Sequence, residues 1–317
     1  MKYSLFYGKI SVIGLFERFD VKSGAVIIYK EQNMSSQGAV SRLKRLLGEK
    51  KAGHTGTLDP LATGVLPILV GRGVKASEYI VSEDKHYRAT LLLGVTTDTE
   101  DITGTVIGEC EDIPDEQTVR AAVEKMTGEI WQTPPMYSAI KVGGRKLYDL
   151  AREGKTVERE ARKITVYSIG CECLSEREYL LDVHCSKGTY IRTLCADIGR
   201  LAGCGGTMKT LERTECAGFT LADAHTLDEI EKMTEEEREA LVIPTDELFP
   251  NIEKITLSPF FARLARCGVE IYLKKISHRG DVGERFRLYD EGGFFALGEV
   301  REYEGGLAIK PIKQFDV

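Results

Sequence analysis

The residues best suited to chemistry lie in one fourteen-residue segment, Gly53 to Leu66, GHTGTLDPLATGVL. It holds three glycines, three threonines, one proline, one histidine (His54) and a single carboxylate, Asp59. Such composition makes an ordered loop rather than a regular element. Pro60 pushes Asp59 out of the helical region and removes the next backbone donor. A carboxylate of ordinary pKa, about 3.9, is ionised at neutral pH and can act as nucleophile or base without a metal. Asp-Pro is also a common turn starter, and composition alone leaves that reading open.

Such a loop needs elements to hold it, and periodicity locates them. Gly24 to Lys30 (GAVIIYK) reads as a strand. Ser35 and Ser36 offer N-caps to a helix with Ala39, Val40, Leu43, Leu46 and Leu47 on one face and Gly48 as its stop. His86 to Gly94 reads as a strand, and Asp115 to Met126 as an amphipathic helix closed by Gly128. Ile164 to Gly170 and Glu178 to Cys185 are further strands. The turn Ser186-Lys187-Gly188-Thr189 leads into a helix striped by Ile191, Leu194, Ile198 and Leu201 and ended by Gly203-Cys204-Gly205-Gly206. From about Ile243 short strands follow one another between Gly-rich turns: Val269 to Leu273, Glu284 to Leu288, Phe294 to Val300 and Leu307 to Lys310. The expected architecture is α+β. A mixed, largely antiparallel sheet with flanking helices occupies residues 24–242, a small all-β module 243–317, and an N-terminal extension 1–23.

Composition narrows the function classes. The chain has 317 residues, 42% hydrophobic and 29% charged, which excludes disordered and collagen-like chains. No stretch approaches ~18 uncharged apolar residues, so no transmembrane helix is expected. Lys2, Lys9, Glu17 and Arg18 break up any signal-peptide core, making the cytoplasm the expected location. Eight scattered cysteines form no C-x-x-C pair, and the five histidines lack zinc spacing, so reduced thiols and no metal are expected. Net charge is −6, but it is unevenly spread. Residues 30–52 carry six basic residues (Lys30, Arg42, Lys44, Arg45, Lys50, Lys51) against two acidic ones, a local +4. Residues 228–239 carry seven acidic against two basic, a local −5. The first segment is a candidate phosphate-binding face and the second is expected to face away from it.

Gly53 to Leu66 resembles the catalytic motif of the TruB family of tRNA pseudouridine-55 synthases. The resemblance continues in order through Asp84-Lys85-His86-Tyr87-Arg88, Thr97-Asp98-Thr99-Glu100-Asp101, Gln132 to Lys141 (QTPPMYSAIK) and His184 to Thr193 (HCSKGTYIRT). It ends around Gly205 to Thr214 and so covers about residues 24–215. It implies an isomerase that flips one T-loop uridine out of transfer RNA and exchanges its C–N glycosidic bond for a C–C bond, with no cofactor. By the same resemblance Asp59 is the nucleophilic carboxylate, and Arg192 pairs with it and keeps it ionised. Tyr87 stacks on the flipped uracil near the proton-exchange step, Tyr190 touches the base, and Leu211 packs on its other face. His54 helps hold the base out of its stack, Asp101 meets a neighbouring extruded nucleotide, and Lys30 lies close beneath the loop. The implied partner is the T-arm, bound by a monomer with no obligatory protein partner and no membrane. The C-terminal module is placed by position alone, where the family often carries a PUA-like RNA-binding barrel. Whether Asp59 adds to the base, adds to the sugar or removes a sugar proton is not fixed by spacing.

Two departures from the family pattern stand out. Glu31-Gln32-Asn33 replaces a usual Pro-x-Gly, and Glu212 stands where arginine is common. Two rival functions are also written in the chain. Val65 to Val70, Gly71-Arg72-Gly73-Val74-Lys75-Ala76 and Asp98 outline a dinucleotide-binding unit of an NAD-dependent oxidoreductase. The intervening helix would be only about two turns, and no strand–helix alternation follows. A non-catalytic chaperone of transfer RNA would use the same surface but have no use for Asp59 and Arg192.

Overall fold

The computed structural model describes residues 23–80, 84–138 and 140–315; of the N-terminal extension only Ser23 falls within them. β1 (Gly24–Lys30) is buried on both faces: Val26 and Ile28 enter one apolar cluster, Ala25 and Ile27 another. Its sequence is accordingly a continuous apolar run without alternation. It pairs antiparallel with β3 (Thr63–Val70), Lys30 lying opposite Gly64. Between them runs α1 (Ser36–Leu46), capped by Ser35, whose Oγ accepts from the Gly38 N–H. Gly48, at φ 65°, ends it in the left-handed conformation.

β2 (Ala52–His54) adds to β3. Residues 53–54 and 63–66, expected as loop, are therefore strand, and the true loop is 55–62. Pairing with β1 at Gly64 to Leu66, and with the strand carrying Glu212 and Arg213 at Thr63 and Gly64, overrides the Gly/Thr composition, because a buried segment needs partners for its backbone groups. In the first turn Asn33 adopts φ 64°, the conformation a glycine would supply, and asparagine tolerates it best among other residues. The departure from Pro-x-Gly thus keeps a left-handed residue at that place.

The body is completed by β4 (Lys85–Leu93), α2 (Glu116–Lys125), β5 (Gly128–Gln132), β6 (Arg162–Cys173), β7 (Glu178–Cys185), α3 (Ile191–Ala202) and β8 (Gly206–Cys216). Sheet order is β1-β3-β8-β4-β7-β6-β5, antiparallel throughout except β3 against β8. β6 outruns its predicted span because Arg162 to Val166 pair with β5 while Val166 to Cys173 pair with β7. The NAD-type reading fails here: β3 meets β1 antiparallel, and Gly71–Ala76 is a 3-10 turn.

The charge map also needs correcting. α4 (Leu227–Lys232) and α5 (Glu235–Ala240), the acidic segment, do not face away from the basic one. Arg42 on α1 donates to Asp228 at 2.6 Å and also to Glu231, and the Arg238 guanidinium donates to the Leu46 carbonyl at the end of α1. Lys30 is wholly buried and leaves the basic face altogether. Lys44 and Arg45 remain exposed.

The C-terminal region forms a five-stranded sheet, β9 (Glu253–Thr256), β10 (Ile271–Tyr272), β11 (Arg285–Asp290), β12 (Gly293–Tyr303) and β13 (Gly306–Gln314), in the order β9-β11-β12-β13-β10. One further helix, Pro259–Arg266, buries Ala262 and Ala265 in its core. Phe249, Leu297 and Phe315 join Ala25, Ile27, Val65 and Leu69 in one cluster, so this region covers the sheet face opposite α1.

Candidate active site

Asp59 lies in loop 55–62, and each of its neighbours is tied down. Ser36 Oγ donates to the Leu58 carbonyl and accepts from the Leu58 N–H, both at 2.8 Å. The Asn33 N–H donates to the Pro60 carbonyl at 2.8 Å, and the Ala62 N–H to the Asp59 carbonyl. Leu58 and Ala62 are buried in the main core. Beneath the loop Lys30 Nζ donates to the carbonyls of Glu31, Met34 and Pro60 at 2.9, 2.7 and 3.4 Å. A buried lysine spent on three carbonyls is a strut for this loop.

Arg192, the second residue of α3, reaches Asp59 from across the site: Nε lies 3.0 Å from Asp59 Oδ2. The rest of its fork is fixed, one Nη donating to the Thr99 carbonyl (3.1 Å) and the other to the Tyr137 carbonyl (2.8 Å). The guanidinium is only 5% exposed, whereas Asp59 is 36% exposed, so the carboxylate alone faces outward. Asp101 is a second carboxylate on the same arginine, at 3.6 Å. Asp101 was expected to meet a nucleotide, but it is buried and turned inward, accepting from Thr99 Oγ1 and from the Thr103 N–H and hydroxyl.

α3 starts at Tyr190, and Gln132 at the end of β5 clamps that start from both sides. Gln132 Oε1 accepts the Tyr190 N–H at 2.8 Å, and its Nε2 donates to the Tyr190 carbonyl at 3.0 Å. The clamp fixes the backbone from which Tyr190 and Arg192 project. The other expected site residues, Tyr87 and Leu211, lie on the sheet. In the β4–β8 register Leu211 stands opposite Ala89 and Arg213 opposite Tyr87, which puts Tyr87, Leu211 and Arg213 on one face. His54, on β2, has a buried Nδ1 that finds no partner among the described residues. Glu212 points elsewhere and accepts from the Tyr29 hydroxyl.

The electrostatics follow from burial. Desolvation pushes the Asp59 carboxyl above its usual value; Arg192 and Lys30 pull it down, and Asp101 pushes it up again. Burial is thus the strongest influence on Asp59, and Arg192 acts against it. Burial drops Lys30 to about 8 against the pull of Asp59. His54 is lowered by burial and by the Arg213 charge, which keeps it neutral. Burial takes the Tyr87 phenol up to about 12. The arrangement is a partly exposed carboxylate held by a buried guanidinium, while Tyr87 and Leu211, at 7% and 8% exposed, belong to the main core. Among the described residues no His, Cys, Asp and Glu group could hold a metal ion, and no helix is long and apolar enough to cross a membrane.

Sequence reasoning missed Ser36 as a loop clamp and gave no role to Gln132 or Arg213. Gln132 and Arg213 lay inside motif stretches, but nothing local in the sequence marks a polar residue as buried.

Comparison with known proteins gives a consistent answer. Residues 44–191 match the family described as "TruB family pseudouridylate synthase (N terminal domain)", and residues 192–250 match "tRNA pseudouridylate synthase B C-terminal domain". The tRNA pseudouridine synthase B of Clostridium tetani is 42% identical over 290 residues, 91% of this chain and 99% of that protein. That of Alkaliphilus oremlandii is 40% identical over 281 residues, 88% of this chain and 93% of its own. Among solved structures, a Cbf5–Nop10–Gar1 complex aligns with TM-score 0.69 at 24% identity, over 93% of this chain and 85% of that one. At that identity the likeness speaks for the fold.

Proposed function

Because the chain belongs to the TruB family of pseudouridylate synthases, we propose that it isomerises the T-loop uridine of transfer RNA, at position 55, to pseudouridine, with Asp59 as the reacting carboxylate. The observation that carries this reading is the Asp59–Arg192 pair, a 5%-exposed guanidinium holding a partly open carboxylate at 3.0 Å. A chaperone would have no use for such a pair. The exchange breaks the bond from C1′ to N1, turns the base, joins C1′ to C5 and moves the C5 proton; no oxidant or external group is consumed. Asp59 supplies the ionised oxygen beside the sugar–base unit. Tyr87 and Leu211 take the two faces of the flipped uracil, with Tyr190 against it, and stacking worth about 1–3 kcal/mol per base offsets much of the extrusion cost. His54, neutral and with an unspent nitrogen, holds the base out of the helix. Asp101 acts through Arg192. The acting form is a cytoplasmic monomer docked on the T-arm, and relatives named tRNA pseudouridine synthase B support that substrate class.

The test is the release of tritium from C5-labelled uridine in unmodified transfer RNA, with the modified position mapped. The parent chain should modify the T-loop uridine alone. Asp59→Asn, which keeps the shape and removes the ionised oxygen, should abolish release while affinity stays within a few-fold. Residual turnover of a tenth or more would remove Asp59 from the reaction.

A further inference from the structure

α3 begins with two buried polar side chains in succession, Arg192 and Thr193. Arg192 donates to the Thr99 carbonyl at 3.1 Å and lies 3.6 Å from the Asp101 carboxylate. The residue between those two, Glu100, is held by Thr193, whose Oγ1 donates to the Glu100 carboxylate. The first turn of α3 thus grips residues 99–101 one after another. Glu100 adopts φ 66°, a left-handed conformation in which Cβ crowds the following carbonyl. Contacts on several sides impose it. The Met208 N–H on β8 donates to the Glu100 carbonyl at 3.0 Å, and the Glu100 N–H donates to the Thr97 carbonyl at 3.3 Å. A Cβ on Gly104 would fall 2.3 Å from Thr99 Oγ1, so the turn is also closed from behind. Glycine would take this backbone freely. What glutamate adds is the bond to Thr193, with its carboxylate at the positive end of the α3 dipole.

We propose that Glu100 is a positioning residue of the isomerase reaction: through Thr193 it latches this turn to α3, so that the Thr99 carbonyl and Asp101 hold the Arg192 fork where its Nε meets Asp59. The proposal rests on the uridine-isomerase reading and deepens it. Glu100 acts through Arg192. The guanidinium is rigid and planar, so a displaced Thr99 carbonyl or Asp101 carries Nε away with it. The charges acting on Asp59 are Arg192 from α3, Asp101 from the turn and Lys30 from β1. Those acting on Glu100 are Arg192 and Asp197 from α3 and Arg159 from the segment before β6. Burial raises the Glu100 carboxyl, and the Thr193 hydroxyl and Arg192 pull against it.

The experiment compares the full chain with Glu100→Gln, Glu100→Gly and Thr193→Val. Single-turnover rate with saturating transfer RNA, RNA affinity and the denaturation midpoint are measured for each. The Asp59 carboxyl is also titrated without RNA, by magnetic resonance of carbon-labelled aspartate, its signal assigned by its loss in Asp59→Asn. Glu100→Gly relieves the left-handed backbone and removes the latch, so its midpoint should stay near the parent's. Its rate should fall about tenfold, the scale of one lost hydrogen bond to a charged group, with affinity unchanged. Thr193→Val should fall alike, and the two combined should lose no more than either alone. Glu100→Gln keeps an acceptor for the Thr193 hydroxyl and should stay within about threefold of the parent. In Glu100→Gly the Asp59 carboxyl should titrate higher by about half a pH unit or more, because a loosened Arg192 opposes burial less. In Glu100→Gln it should not move. An unmoved Asp59 titration in Glu100→Gly, losses that multiply, or rates that only track the midpoint would overturn the proposal in favour of a bond that merely holds the fold. So would unfolding of Glu100→Gly and Thr193→Val alike. Should the parent prove inactive on uridine, the Asp59 titration still reads the latch, so the two failures are told apart.

Discussion

Replacing Arg192 by lysine keeps the charge and removes the fork, and the structure says what that should cost. In the parent, Nε holds Asp59 while the two Nη groups are spent on the Thr99 and Tyr137 carbonyls. A single ammonium cannot satisfy all three directions. If it stays with the carbonyls, Asp59 loses a charge-assisted bond worth about 1.5–3 kcal/mol. At ~1.4 kcal/mol per decade that is about a tenfold to 150-fold fall in rate. If it follows Asp59, the buried carbonyls go unmet at about 1–3 kcal/mol each, and the loss appears as stability. Single-turnover rate with saturating transfer RNA and a denaturation midpoint on the same sample separate the two. The companion Arg192→Met leaves Asp59 facing Asp101 and its own burial with less to oppose them, so the acid limb of its pH–rate profile should move upward. An Arg192→Lys rate within about fivefold of the parent, with unchanged stability, is the behaviour of an exposed ion pair worth about 1 kcal/mol or less, and would refute the role given to this arginine.

Three other expectations follow from the geometry. Because Asp59 must be ionised and burial raises its carboxyl, parent activity should fall as pH drops through a value above the ordinary 3.8; a profile flat down to 3.8 in single-turnover assays contradicts this. Gln132→Leu strands the Tyr190 N–H, while the Tyr190 carbonyl keeps the Leu194 N–H, and should cost about 1–3 kcal/mol, read as a lower denaturant midpoint together with slower turnover; a wild-type midpoint would mean that the clamp is idle. Lys44→Ala with Arg45→Ala should weaken binding of every RNA alike and flatten the salt slope by about one to two, while Asp228→Asn with Glu231→Gln releases Arg42 and should tighten binding. Filter binding at several salt concentrations decides both, and an unchanged slope would move the docking surface elsewhere.

Much of this protein was determined locally and could be read along the chain. Asp59 stands out because Pro60 and the surrounding Gly and Thr residues restrict its backbone. Ser35, Asp115 and Gly203 mark helix ends because capping is a matter of a few consecutive residues. The order of motifs from Gly53 to Thr214 carries the family. What the sequence could not settle is which buried polar groups meet. Arg192 reaches Asp59, Asp101 and two carbonyls only after α3 is seated on the sheet and pinned by Gln132. Asp101 turns inward because that arginine is there. Arg42 loses its place on a phosphate face because α4 docks beside α1. Lys30 and Arg213 look like surface cations in a one-dimensional reading and are among the most buried side chains in the fold. Strand register and helix docking decide such contacts, and both are set by burial summed over the whole sheet, a quantity that no short window of sequence contains.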